Sequence, residues 1–168
     1  MNDATLTALR TFPDLLEAHF GQFPESRRHW APASWDGVPS EALTAIEQLC
    51  HVRDIETEGY QRRIERTLVE DRPFLPSMDT DALARNRRYG AADPAEVLAS
   101  FREARSKTIA LVERLTARQL ERSATFEGYG PVTVRGLLHY LCSHDQQHLA
   151  GLQWLLGKID CDSDAARD

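Results

Sequence analysis

Four segments of this chain repeat apolar side chains with the period of an α-helix, and this pattern limits the fold more than any other feature of the sequence. The segments span residues 4–20, 40–69, 94–115 and 134–157. We find no stretch with the alternation of apolar and polar residues that is typical of a half-buried strand. We therefore predict an all-α fold, a four-helix bundle with long loops after the first and second helices.

Local signals predict where these helices begin and end. Ser40 is a suitable N-cap for the second helix and Thr133 for the fourth, and Gly157 suits the position after the last turn of the fourth. The third helix has the clearest start, because residues 93–96, DPAE, supply an N-cap, a first-turn proline and a capping-box carboxylate. Residues 79–89 carry no pattern that assigns them to a helix or a loop.

Length, charge and composition exclude several classes of protein. The 168 residues contain no repeat or linker, so we predict one domain over residues 1–168. A net charge of -6 without a basic run gives no reason to expect nucleic-acid binding. No apolar stretch approaches the roughly 20 residues that cross a membrane, and the N-terminus lacks a signal-peptide pattern. With three cysteines that lack CxxC spacing, these features predict a cytoplasmic protein.

Two histidines four residues apart lie on the apolar stripe of the fourth helix. On a helical wheel, His144 and His148 fall at the edge of, and within, the stripe marked by Leu137 and Leu141, so both should face the interior. Each buried imidazole needs a partner for both ring nitrogens. One divalent cation would serve both, because side chains at i and i+4 lie about 5–6 Å apart. The pair therefore suggests a metal site, unless the histidines are hydrogen-bonded core residues.

The surrounding sequence does not fit two common metal sites of helical proteins. The motif HDQQH has the spacing of the zinc-protease HExxH, but Asp145 replaces the general-base glutamate and no histidine or glutamate follows His148. Ferritin-like di-iron bundles use Glu-x-x-His motifs, and no glutamate stands three residues before any histidine here. A third ligand must come from an earlier segment, with His19, His29 and His51 as the candidates.

Five segments together carry a resemblance to a known family. They are LCHVRDIETEGY from residue 49, ERTLVEDRPFLP from 65, DPAEVLASFREARSKTIALVERL from 93, EGYGPVTVRGLLHYL from 127 and HDQQHLAG from 144. The chain resembles the DinB-like superfamily of metal-dependent four-helix proteins, which includes YfiT-like and bacillithiol S-transferase-like members. The resemblance covers nearly the whole chain.

The resemblance implies a metal site and its ligands. His51, His144 and His148 match the family's three histidines, which bind one divalent ion, zinc or nickel, and the family's homodimer is expected here too. Relatives often have a glutamine three residues after the second paired histidine, where this chain has Gly151. The glycine could widen the pocket or let another helix pack close. Glu56 matches a recurrent family acid but lies far around the helix from His51, so we interpret it as structural.

A three-histidine site has a definite chemistry. When three neutral imidazoles bind an ion, its remaining coordination positions stay open for water or substrate, as in catalytic rather than structural zinc sites. Such an ion activates water for hydrolysis or a thiol for attack on an electrophile. A nearby carboxylate would accept a proton, and Glu47, Asp54 and Asp145 are the candidates because they flank His51 or adjoin His144.

We accordingly predict a divalent-metal-binding protein that acts on a small molecule. It would be a hydrolase, or a thiol S-transferase with a low-molecular-weight thiol as cosubstrate. Two alternatives stay open: a non-catalytic metal-binding dimer of a stress response, and a metal-free bundle with core histidines. Loss of metal on replacing any one histidine would exclude the metal-free bundle. Turnover of a thiol or an activated ester would separate the enzyme from the non-catalytic dimer.

Overall fold

The computed structural model describes residues 3–165, and most of them are helical. The helices are α1 (Asp3–Phe20), α2 (Ala45–Asp54), α3 (Arg62–Val69), α4 (Thr80–Arg87), α5 (Pro94–Glu113), α6 (Ala117–Leu120) and α7 (Val134–Ala165). Helices α1, α5 and α7 and the unit formed by α2 and α3 pack against one another, which confirms the predicted four-helix bundle. None of the described helices is long and apolar enough to cross a membrane.

The second helix of the bundle begins later than the sequence predicted. It starts at Ala45 rather than near Ser40, because Thr44 and Glu47 form a capping box in which the Glu47 carboxylate accepts hydrogen bonds from the backbone N–H (2.9 Å) and hydroxyl (2.7 Å) of Thr44. Between α2 and α3 the helix widens into a π-helical segment, Ile55–Gln61. Segments of this kind are frequent at functional sites.

The described chain also contains a small three-stranded sheet, so the prediction of a chain without strands was wrong. Its strands are β1 (Phe74–Leu75), β2 (Ser123–Phe126) and β3 (Gly130–Thr133), in the order β1-β2-β3. β1 runs parallel to β2, and β2 and β3 form an antiparallel hairpin. Gly128 and Gly130 have positive φ angles of 80° and 79°, which the hairpin turn requires. Strands of two and four residues are too short to show an alternating pattern.

Three further helix ends can be compared with the sequence. The start of α5 is confirmed, because the Asp93 carboxylate accepts hydrogen bonds from two backbone N–H groups of the first turn. The unassigned segment contains α4, which Asp79 caps through the N–H of Ala82. The predicted end at Gly157 was wrong: α7 continues through it. Gly157 has open space around its Cα, so nothing there forces the helix to stop.

The apolar core of the described residues forms two clusters. One joins α1, α2, α5 and α7, and it includes an edge-to-face pair of Phe12 and Phe101 with ring centroids 5.6 Å apart. The other lies towards the sheet, where side chains such as Leu75 and Val132 pack on Leu137 and its neighbours in α7. Both clusters use the same face of α7, and that face also carries the two histidines of the HDQQH motif.

Candidate metal centre

Four side chains from three parts of the chain converge in the bundle. His51 comes from α2, His144 and His148 come from α7, and Glu41 comes from the loop before α2. One possible ligand atom from each lies within 4.8 Å of the others. His51 and His148 are almost completely buried, whereas the Glu41 side chain is 43% exposed. We call these four residues the histidine cluster. The structure thus brings the three sequence-predicted histidines together and adds Glu41.

The distances within the histidine cluster suit a single ion. The Nε2 atoms of His51 and His144 are 3.1 Å apart. Glu41 lies close to two of the histidines, with Oε2 3.2 Å from Nε2 of His148 and Oε1 3.7 Å from Nε2 of His51. Two imidazole nitrogens bound to one tetrahedral zinc lie about 3.3 Å apart, given Zn–N bonds of about 2.0–2.1 Å. The His51–His144 distance is close to this value.

His148 is held in the tautomer that metal binding requires. Its Nδ1–H donates to Oε1 of Gln48 at 3.1 Å, and the Gln48 amide is oriented by its own N–H bond to the Leu43 carbonyl at 3.3 Å. The lone pair of Nε2 therefore points into the cluster. That buried nitrogen has no hydrogen-bond partner among the described residues, and a Glu41 carboxylate oxygen lies 3.2 Å from it. A buried nitrogen lone pair without a partner is a ready metal ligand.

Burial keeps His51 and His144 in the uncharged state that metal binding requires. Desolvation, reinforced by the repulsion that a protonated His148 would exert, lowers the pKa of His51 to about 4. The same causes lower the pKa of His144 well below its usual value. Interaction with a protonated His148 lowers the pKa of Glu41 to about 2, although partial burial opposes this. At neutral pH His51 and His144 therefore offer uncharged nitrogens beside the carboxylate of Glu41, and no proton must leave either histidine before a cation binds.

Gly151 allows Gln48 to reach His148. A Cβ at position 151 would lie 2.7 Å from Oε1 of Gln48 and would also clash with the hydroxyl of Ser40. Of the two roles that the sequence left open for this glycine, close packing is the one observed. The atoms that pack against Gly151 belong to Gln48 of α2 and to Ser40 in the loop before α2.

Replacing Gln48 or Gly151 by alanine should weaken metal binding about 10- to 100-fold, the usual effect of losing a hydrogen bond to a metal ligand. Gln48→Ala removes the amide oxygen that accepts from His148. Gly151→Ala displaces the Gln48 side chain that carries this oxygen. Gly157→Ala is the matched control, because it adds a methyl to the same helix in open space. Competition titration with a chromophoric chelator measures the affinities. Equal affinity in Gly151→Ala and Gly157→Ala would contradict the role given to Gln48.

Two of the carboxylates that the sequence proposed as proton acceptors are engaged elsewhere. Glu47 forms the capping box with Thr44. Asp54 accepts from Arg53 at 2.8 Å and from the buried hydroxyl of Tyr89 at 2.6 Å. These hydrogen bonds lower the pKa of Asp54 despite its burial. Neither carboxylate belongs to the histidine cluster, and their contacts do not support a role as catalytic base.

The third candidate, Asp145, belongs to a buried charge network. Arg105, 1% exposed, donates to Asp145 at 2.8 and 2.9 Å and to Glu56 at 2.9 and 3.1 Å. Thr108 also donates to Glu56. Burial raises the pKa of Asp145 to about 7, while the charge of Arg105 opposes that shift. Asp145 therefore faces the guanidinium and not the histidines, and Glu56 has the structural contacts expected of it.

The remaining candidate histidines lie outside the cluster. His19 contacts the Leu15 carbonyl and the Gln153 side chain, and His29 is exposed. Glu41 was missed because the sequence seemed to place it within the second helix. The capping box of Thr44 and Glu47 is readable in the sequence and would have placed Glu41 in the preceding loop.

A cavity of about 230 Å³ opens onto the histidine cluster. Its walls include Glu41, His51 and His144 together with Tyr60 and Tyr129. His148 is fully buried and does not line it. A larger cavity of about 680 Å³ lies between α1 and α5, and no member of the cluster lines it. The smaller cavity therefore gives access to the histidine cluster.

Comparisons with known proteins agree with this architecture. The family model described as the DinB superfamily matches residues 8–152. Among solved structures, the chain is similar to YfiT from Bacillus subtilis, described as "a probable metal-dependent hydrolase with an unusual four-helix bundle topology", with a TM-score of 0.82 and 23% identity. The match covers 94% of this chain and 87% of that one, and at this identity it establishes the fold. No curated protein sequence matches the chain.

Proposed function

Since the chain belongs to the DinB superfamily, we propose that it is a metal-dependent hydrolase that acts on a small molecule. The observation that carries this proposal is the histidine cluster: three imidazoles and a carboxylate, with ligand atoms within 4.8 Å of one another, beside a cavity. The metal ligands would be His51, His144 and His148, and imidazole ligands suit zinc or nickel.

The chain's own residues prepare this site in three ways. Burial keeps His51 and His144 uncharged, and Gln48 fixes the ring of His148. When bound, a divalent ion with three protein ligands supplies Lewis acidity and lowers the pKa of a coordinated water or thiol. The cavity admits a small substrate to one side of the cluster, between aromatic side chains.

Glu41 differs from the histidines because it is partly exposed and lines the cavity. Its low pKa keeps it ionised at neutral pH. We therefore assign Glu41 to orienting the attacking water by accepting its hydrogen bond.

Metal content and turnover together test the proposed function. Protein purified without a histidine tag should contain about one zinc or nickel ion per chain by plasma mass spectrometry. It should hydrolyse members of a panel of activated esters, and chelation followed by metal addition should abolish and restore this activity. Turnover that requires an added low-molecular-weight thiol would instead indicate the S-transferase. Metal without turnover would indicate a non-catalytic protein, and no metal uptake a metal-free bundle.

Glu41→Gln should lower kcat about 100-fold, the lower range for the loss of one preorganised hydrogen bond at a reaction centre, while the protein keeps its metal. The amide preserves the shape of the side chain but orients water poorly. Glu121→Gln is the control, because Glu121 is exposed and pairs with Arg135. Steady-state kinetics and metal content are measured on the same samples. Loss of the metal from Glu41→Gln would instead make Glu41 a ligand and contradict its assigned role.

A further inference from the structure

Arg63, at the start of α3, is buried beside the histidine cluster, and the proposed hydrolysis does not use it. Its side chain is 8% exposed. The guanidinium lies 4.4 Å over the ring of Phe126 and 5.5 Å over that of Tyr60, and it donates one long hydrogen bond, 3.4 Å, to the Pro76 carbonyl. A Cβ at position 59 would lie only 3.0 Å from Nη1 of Arg63, so Gly59 gives the guanidinium its room.

The charge of Arg63 has no counter-charge in the described part of the chain. Arg63 and Arg105 are the two arginines buried there, and Arg105 pairs with two carboxylates. No carboxylate of the described residues pairs with Arg63. Burial lowers the pKa of Arg63, but a guanidinium stays protonated in proteins. A buried cation without an acidic partner is unfavourable, and a ligand that brings an anion relieves this.

Arg63 shares its cavity with the histidine cluster. Arg63 lines this cavity together with three members of the cluster, Glu41, His51 and His144. Phe126 stacks on Tyr129 with ring centroids 4.5 Å apart, and Tyr129 is 55% exposed, so an aromatic surface continues from the guanidinium to solvent. The cavity of about 230 Å³ is smaller than the roughly 300–1,000 Å³ of pockets for drug-sized ligands.

We propose that Arg63 anchors an acidic group of the substrate, so that the substrate is a small organic anion whose reacting bond lies at the histidine cluster. The acidic group is a carboxylate or a phosphate, since the planar guanidinium donates to either through two parallel hydrogen bonds. The location of the reacting bond rests on the proposed hydrolysis, whereas the anion site itself does not.

Calorimetric titration of the protein tests the anion site. The probes are benzoate, phenyl phosphate and the neutral benzamide, added to metal-loaded protein and to protein in chelator, where no metal can hold the anion. Wild-type protein should bind at least one anion saturably in both forms and benzamide much more weakly. Arg63→Met should weaken anion binding at least tenfold in both. Comparing benzoate with phenyl phosphate shows which acidic group is preferred.

Two further variants make the result specific to Arg63. Arg63→Lys keeps the positive charge but lacks the planar guanidinium, so it should bind the anions with intermediate affinity. It also tests the proposal if Arg63→Met fails to fold. Arg66→Met removes a more exposed arginine of the same helix that already pairs with Glu70, and it should bind like wild type. Thermal unfolding by circular dichroism shows that each variant is folded.

The proposal is overturned if wild-type protein binds neither anion, if benzamide binds equally well, or if Arg63→Met and Arg66→Met have the same effect. These outcomes are distinct from failure of the proposed function. A protein without metal or turnover that still binds anions through Arg63 would keep the anion site and lose the hydrolase. A metal-loaded, active protein without anion binding would lose the anion site only.

Discussion

Replacing Arg105 with methionine is expected to lower the free energy of unfolding by about 3–5 kcal/mol, the usual cost of removing one partner from a buried ion pair. Arg105 is 1% exposed and is the cation that faces both Glu56 and Asp145. Methionine fills much of the same volume, but it leaves two buried carboxylates without compensation. Since domains of this size are stable by about 5–15 kcal/mol, the loss would be a large part of the total.

Arg102→Met is the matched control for this prediction. Arg102 lies on the same helix and also pairs with two carboxylates, those of Asp14 and Glu17, but it is 41% exposed. Exposed ion pairs contribute about 0–1 kcal/mol, so this variant should unfold close to wild type. Urea denaturation followed by circular dichroism compares the two. If they unfold at the same urea concentration, the Arg105 network does not stabilise the fold as the structure indicates.

The Arg105 network also connects the two helical units that carry the histidines. Glu56 belongs to the π-helical segment that follows α2, and Asp145 directly follows His144 on α7. Arg105 bonds to both from α5, and its Nη1 also donates to the Leu9 carbonyl of α1. One side chain thus ties together all four members of the bundle next to the histidine cluster. These hydrogen bonds between helices compensate for burying the charge of Arg105, which an apolar side chain at the same position could not replace.

The bundle could be predicted because its determinants are local. Apolar residues at helical spacing and a strong start signal such as DPAE at residue 93 depend only on neighbours in the sequence. The sheet could not, because β1 has two residues and pairs with a strand about 50 residues later. The extension of α7 beyond Gly157 was missed because a glycine is tolerated inside a helix when packing favours the helix.

A helical wheel predicted the part of the candidate site that lies on a single helix. His144 and His148 share a face of one helix, so their common orientation followed from spacing. His51 needed the family resemblance, because its wheel position was marginal. Glu41 and Arg63 could not be found in this way: one is a loop residue, and the other resembles any surface arginine until Phe126 and Tyr60 are seen to cover it. Their roles depend on contacts between segments far apart in the chain.

Replacing His148 with alanine is expected to lower zinc or nickel affinity at least about 100-fold. Structural four-ligand zinc sites bind with about 10–16 kcal/mol, so one ligand corresponds to roughly 3 kcal/mol, or about two orders of magnitude. His148 is the most decisive ligand to remove, because it is fully buried and its Nε2 has no hydrogen-bond partner among the described residues. Water that enters the vacated space would be a poorer ligand than His148, because Gln48 holds the imidazole in a fixed orientation and nothing would hold the water in the same way.

His139→Ala supplies the control, because His139 is an exposed histidine of the same helix and lies outside the cluster. Chelator competition should give wild-type affinity for His139→Ala and the large loss for His148→Ala, with similar helical content in both. His51→Ala and His144→Ala should resemble His148→Ala, because each removes one of three ligands to the same ion. Wild-type affinity in His148→Ala would mean that the metal binds elsewhere, and the histidines would then be explained as core residues joined by hydrogen bonds.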